Sequence, residues 1–200
     1  MKVLVIGASG VIGNAVTKSL TKENEVIRAN HKSASDVNVD LGDANSIKTM
    51  FEAVGKVDAI ICSAGNGSFG PFNQLSDADY ELALNNALMG QINLVRFGQE
   101  YLNEGGSITL TSGLASRVPI PGAVTISMTT AALEGFVRAA ALELEAVRLN
   151  VVSPVFVKET MAMMGMPTDG GLSAEDTAKA YIASIQGTMH GKVLDTPDYV

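Results

Sequence analysis

Three glycines at a three-residue spacing, Gly7, Gly10 and Gly13, follow directly on the apolar run VLVI at residues 3–6. A tight turn after a strand needs a residue free to take backbone angles that side chains disfavour, and Gly7 supplies it. Gly10 lets an anion approach the backbone at the head of the next helix, and Gly13 lets that helix lie close to the strand. The unpaired N–H groups of the helix start, together with its dipole, can then hold a pyrophosphate. Without a strand before it and a helix after it, the triple would be a flexible turn and nothing more.

A second polar cluster, Asn30, His31, Lys32 and Ser33, ends the next strand-like run. In a dinucleotide-binding fold an acid there holds the ribose 2′-hydroxyl and selects NAD. These hydrogen-bonding and cationic residues suit a 2′-phosphate instead, so NADP(H) is favoured over NAD(H). The alternative is a solvated loop whose Lys and His touch nothing. Asp40 and Leu41, at the end of the third run, are expected beside the adenine.

The elements that must position these groups alternate along the chain. Strand candidates fall at 3–7, 25–29, 37–41, 57–63, 107–112, 149–154 and 192–195, and most are apolar on both faces. Helix candidates fall at about 10–22, 43–54, 76–103, 123–147 and 173–187. Ser46 and Thr49 lie in a polar first turn, while Ser76 and Ser173 each offer a cap followed by acids near the positive helix end. Strands alternating with helices predict an α/β fold: a Rossmann-type doubly wound parallel sheet of about seven strands, helices on both faces. Residues 1–200 are expected to form one NAD(P)-binding domain.

Bulk properties narrow the function. At 200 residues and 46% hydrophobic, with mean hydropathy +0.22, the chain can fill one full core. No apolar run reaches the roughly 18–20 residues of a membrane span. A net charge of −7 argues against nucleic acid as a partner. The single cysteine, Cys62, excludes an internal disulfide and fits a reducing, cytoplasmic setting. No His/Cys/acid cluster suggests a metal.

From end to end the chain resembles the short-chain dehydrogenase/reductase family. Gly7-Ala8-Ser9-Gly10-Val11-Ile12-Gly13 is similar to the family's glycine-rich cofactor turn, and Asp40-Leu41 to its acidic adenine contact. Cys62-Ser63-Ala64-Gly65 resembles its N-N-A-G element, and residues 107–113 (SITLTSG) the strand ending in the catalytic serine. Ala131-Ala132-Leu133-Glu134-Gly135 resembles the helix after the family's Y-x-x-x-K, and residues 148–154 (RLNVVSP) its R-V-N-x-V-x-P-G strand. The resemblance implies cofactor contacts at Ser9, Val11, Ile12, Ser63, Ala64 and Gly65, and after the sixth strand at Pro154, Val155, Val157 and Thr160. It further implies a homodimer or homotetramer through the helices near 76–103 and 123–147.

The same resemblance implies hydride transfer to or from a small carbonyl or alcohol substrate. In the family a tyrosine phenol, its pKa lowered by a lysine ammonium, gives the proton, and a serine orients the carbonyl. Here Ile126 occupies the tyrosine position and Thr130 the lysine position, and residues 118–137 contain neither Tyr nor Lys. Ser112 is retained as the candidate catalytic serine; the alternative is a strand-end hydroxyl satisfied by backbone. Ala87 falls where the family has a helix asparagine, with Asn85, Asn86 and Asn93 nearby. Hydroxyls of Ser127, Thr129 or Thr130 remain as proton relays. The segment after the sixth strand, 158–167, reads as a short methionine-rich specificity loop suited to a small apolar ligand. Two functions follow: an NAD(P)(H)-dependent oxidoreductase with an atypical active site, or a non-catalytic NADP(H)-binding sensor or regulatory protein.

Overall fold

A computed structural model describes residues 1–32 and 35–200. Seven parallel strands form one sheet in the order β3-β2-β1-β4-β5-β6-β7. They are β1 Lys2–Ile6, β2 Glu25–Asn30, β3 Val37–Asn38, β4 Val57–Cys62, β5 Leu102–Thr111, β6 Arg148–Ser153 and β7 Val193–Asp195. The order reverses between β1 and β4, and that crevice is where such sheets take ligands.

Helices cover both faces. α1 (Val11–Leu20) and α7 (Ala174–Gln186) lie on one side, where Val16, Ala178 and Tyr181 pack on Val3, Val5 and Ile61. α2 (Ala44–Val54), α4 (Gln91–Gly98) and α5 (Val124–Ala140) lie on the other, where Phe51, Leu94, Leu133 and Val137 meet Leu4, Ile60 and Ile108. The central strands are thus buried on both faces, which is why they read as continuous apolar runs. Phe51 is fully buried and stacks on Tyr101 with ring centroids 5.3 Å apart; such burial stabilises by about 2–3 kcal/mol.

Caps follow the polar signals at two of three places. Ser76 forms a capping box with Asp79 at α3 (Asp77–Leu82), and Ser173 accepts from the Asp176 N–H at α7. At α2 the cap is Asp43 rather than the Ser46/Thr49 turn; Ser46 Oγ instead accepts from the Asp40 N–H, tying the end of β3 to the helix.

The long helix expected over 76–103 is three pieces: α3, a π-helical segment Ala83–Gly90, and α4. Gly90 lies so close to Leu41 that a β-carbon would sit 2.7 Å from its carbonyl oxygen. β5 then begins at Leu102, earlier than expected, and its pairing with β4 shifts register between Val57 and Ala59. α5 stops at Ala140 instead of 147, because the Ala141 carbonyl bonds His190 Nε2 at 2.7 Å and the chain turns into β6. The segment expected as a loop carries a short helix, α6 (Lys158–Met163), moored where Glu159 accepts from the Ala174 N–H.

Candidate functional site

The glycine turn is sterically dictated. Gly7 has φ +82°, and a β-carbon on it would stand 2.8 Å from Ala64 Cβ. One on Gly13 would stand 2.0 Å from the Gly7 carbonyl oxygen and 2.6 Å from Ser63 Oγ. Gly10 is the N-cap of α1 and brings no side-chain cap, so the helix's first-turn N–H groups face outward for a ligand. Ser9 N–H donates to Asn30 Oδ1 at 2.9 Å, pinning the turn to the buried end of β2. The cradle fits a pyrophosphate: donors converge and side chains are excluded.

Two clefts run from this turn along the carboxyl ends of the strands. The first, about 180 Å³, brings together Gly7, Ser9, Asn30, His31, Asp40, Leu41, Ala64 and Gly65. His31 Nε2 lies 3.5 Å from Asp40 Oδ2 across it. The second, about 270 Å³, brings together Ser63, Ala64, Gly65, Ser112, Ile126 and Thr130. Ala64 and Gly65 belong to both walls. A third hollow of about 690 Å³, beside Ser9 and Asn30, is edged by Lys18, Lys22 and Arg28. Arg28 is clamped by Asp36, whose carboxyl the guanidinium holds down at about 2.

The side chains of the other described contact residues lie outside the two cleft walls. Val11 lines a separate hollow with Glu159 and Ala174, and Ile12 packs into the α1/α7 layer. Lys32 is exposed, and Ser33 lies outside the described residues. Pro154 accepts from Leu114 N–H, Val155 N–H donates to Thr196 Oγ1, Val157 caps α6 and Thr160 sits on it. Neither cleft wall includes these four. Asn86 accepts from Asn66 N–H and Asn93 from Arg96, so each carboxamide oxygen is structurally engaged.

Among the described side chains lining the reacting cleft the polar hydrogens are spoken for, whereas Ser127, beside Ile126 but off that lining, keeps a buried hydroxyl without a partner. Thr129 donates to the Thr125 carbonyl at 3.0 Å and Thr130 to the Ile126 carbonyl at 2.7 Å. Ser63 donates to the Ile6 carbonyl and Thr111 to the Cys62 carbonyl. Gln91 was not singled out from the sequence, yet it is 2% exposed and forms the cleft floor. Its amide nitrogen donates to the Ala87 and Thr111 carbonyls while its oxygen accepts from Thr111 N–H. The only legible signal was an amide on the apolar face of a helix, one turn after Ala87.

Ser112 is 8% exposed, and its hydroxyl points to Glu134 Oε1 at 3.2 Å and the Val152 carbonyl at 3.4 Å. Glu134 is buried on α5. It accepts from Ser116 at 2.6 Å and lies 3.7 Å from the guanidinium nitrogens of Arg117 and Arg138. Arg117 also grips Asp195 and Ser153, and its hydrogen bond holds the Asp195 carboxyl below the usual carboxylate range. Tyr181, remote in sequence, reaches Thr111 Oγ1 at 2.7 Å from the α7 side of the sheet. It is fully buried, and burial pushes its phenol up.

Fold and cradle together define a dinucleotide-binding α/β protein of the doubly wound class. A family model described as enoyl-(acyl carrier protein) reductase matches residues 7–189. The chain belongs to the short-chain dehydrogenase/reductase family. The protein lin1944 from Listeria innocua is 38% identical with TM-score 0.93, covering 98% of each chain. A small-chain dehydrogenase solved in complex with NADPH is 28% identical with TM-score 0.86, covering 98% of this chain and 95% of that one. Among curated relatives, a hydroxynaphthalene reductase from Aspergillus fumigatus is 25% identical over 72% of this chain. A versicolorin reductase from Emericella nidulans is 28% identical over 78%. The alignments span 55% and 62% of those two relatives' lengths. Among the described residues no helix is long and apolar enough to cross a membrane, and no group of three metal-ligating side chains occurs.

Proposed function

We propose that the chain is an NAD(P)(H)-dependent oxidoreductase acting on a small carbonyl or alcohol substrate at an atypical active site. The observation that carries this reading is the sharing of Ala64 and Gly65 by the two clefts. One extended ligand can lie with its adenosine between Asn30, His31, Asp40 and Leu41 and its pyrophosphate on Gly7–Gly13. Its far ring then reaches Ser112, Ile126 and Thr130. When bound there, a nicotinamide supplies or accepts a hydride. The chain's own residues orient it, close one side with Ile126 and Leu133, and exclude bulk water. NADP(H) is favoured over NAD(H): Asn30 stands where an acid would repel a 2′-phosphate, and Lys18 and Lys22 edge the adjoining hollow. Residues 1–200 act as one domain. Exposed Leu84, Met89, Val124 and Met128 support a homo-oligomer through the 83–90 and α5 surfaces.

Calorimetric titration with NADPH and NADH tests the reading. Micromolar binding of NADPH with weaker binding of NADH is expected; binding of neither would overturn it. One observation favours a second reading, a cofactor-binding sensor: no titratable side chain is among the described lining of the reacting cleft. Turnover separates the two.

A further inference from the structure

The described lining of the reacting cleft holds six polar side chains, and in every one the donor hydrogens already have acceptors. Ser63, Thr111, Thr129 and Thr130 donate to backbone carbonyls, Gln91 to two of them, and Ser112 to Glu134 or the Val152 carbonyl. Thr111's hydroxyl moreover points to the α7 side of the sheet, where its partner is Tyr181. The remaining described lining has no polar side chain: Ala64, Gly65, Gly67, Ala87, Ile126 and Leu133. Such a cleft can bind and orient a flat apolar molecule. Among its described lining residues nothing is placed to deliver a proton while charge builds on a substrate oxygen.

That lack sorts substrates by the basicity of what hydride addition creates. A simple ketone becomes an alkoxide, about as basic as hydroxide, whose conjugate acid water has a pKa of about 15.7. Without a positioned acid such a step loses on the order of 10²–10⁴ in rate. A quinone becomes a phenolate-type anion, whose conjugate acid resembles a tyrosine phenol with a pKa of about 10. Its charge is spread over an aromatic ring and needs no proton in the transition state.

Resting on the oxidoreductase reading above, we propose that the substrate is a quinone or comparably conjugated dicarbonyl, not an isolated ketone. The quinone takes up the hydride, one hydrogen and two electrons, from a reduced nicotinamide, which is left oxidised. Its two C=O bonds become C–O bonds as the ring turns aromatic. One oxygen carries the hydrogen and the other the negative charge, which takes a proton from water after leaving the cleft. Exposed Phe156, Met163 and Met164, on the segment that follows β6, add apolar surface at the carboxyl edge of the sheet.

The test uses the whole protein. NADPH binding is measured first by calorimetry, and menadione binding to the NADP⁺-loaded protein second. NADPH oxidation is then followed with menadione and with cyclohexanone, the protein-free rate being subtracted. We expect menadione to bind and to be reduced with a kcat/KM on the order of a thousandfold above cyclohexanone. Its rate should stay level from about pH 6 to 9, since the described lining holds no titratable side chain. The double variant I126Y/T130K, checked for NADPH binding, should shift the ratio towards the ketone by on the order of a hundredfold. Comparable rates on both compounds in the unaltered protein would overturn the inference while leaving the oxidoreductase reading intact. NADPH binding with neither compound reduced would overturn both and leave the sensor. No NADPH binding would remove the cofactor reading itself.

Discussion

At the glycine end of the cleft, a single added carbon on Gly7 or Gly13 collides with backbone or with Ala64 and Ser63. At the reacting end, Ile126 and Thr130 line the cleft at the positions to which the resemblance assigns a phenol and an ammonium. The first end is fixed by what must not be there, the second by what must. Steric requirements persist as long as the fold and its ligand do. A chemical requirement vanishes once the reaction no longer calls for that group. The contrast separates a cradle shaped for a cofactor from a reacting end whose described lining holds no titratable side chain.

The glycine end should break most sharply. Gly13→Val forces carbons into the Gly7 carbonyl and Ser63 hydroxyl, overpacking worth about 1–3 kcal/mol of stability. NADPH affinity should fall on the order of a hundredfold, equivalent to about 2.7 kcal/mol. Calorimetry and a thermal melt read the two losses; retained affinity would mean the ligand does not lie on this turn.

A smaller effect is expected from the floor of the reacting end. Gln91→Leu preserves bulk but strips the partners from the Thr111 N–H and C=O on the side of β5 facing the π-helical segment. Leaving those groups unpaired costs about 1–3 kcal/mol, read as a shift in denaturant midpoint. A neutral result would show that the π-helical segment does not depend on this clamp.

The sequence made the two ends legible to different degrees. Apolar runs marked the central strands, because a parallel sheet covered on both faces leaves no polar alternation there. The glycine turn was legible because its residue type and spacing are its mechanism. Gln91 and Glu134 were not, since their role comes from groups 20 and 22 positions away that only the fold brings within reach. The break of the 76–103 helix was not legible either, because the π-helical segment that ends where Gly90 rests on Leu41 has no periodic signature. Tyr181 is far from α5 in sequence; the fold brings it to Thr111, but from the opposite layer.

Acid offers the mildest way to sharpen the contrast. Asp79 receives hydrogen bonds from Ser68, at 2.6 Å, and from the Ser76 hydroxyl and N–H, and these hold its carboxyl down at about 2. Thr125 on α5 donates to the Ser68 carbonyl, so this carboxylate moors the loop that carries Gly65 and Gly67 to both helices. A carboxyl held low in the folded state adds stability above its ordinary value, and that stability drains as pH falls through the folded one. Loosening is therefore expected between pH about 4 and about 2, and at the reacting end. Gly7–Gly13 contains no titratable group and should hold. Hydrogen exchange corrected for its intrinsic pH dependence reads both segments at once. Protection at residues 65–70 should fall ahead of that at 7–13, and Asp79→Asn should produce part of the same loss at neutral pH. Parallel loss in the two segments would mean that the ends of the cleft open as one unit, and the division drawn between them would fail.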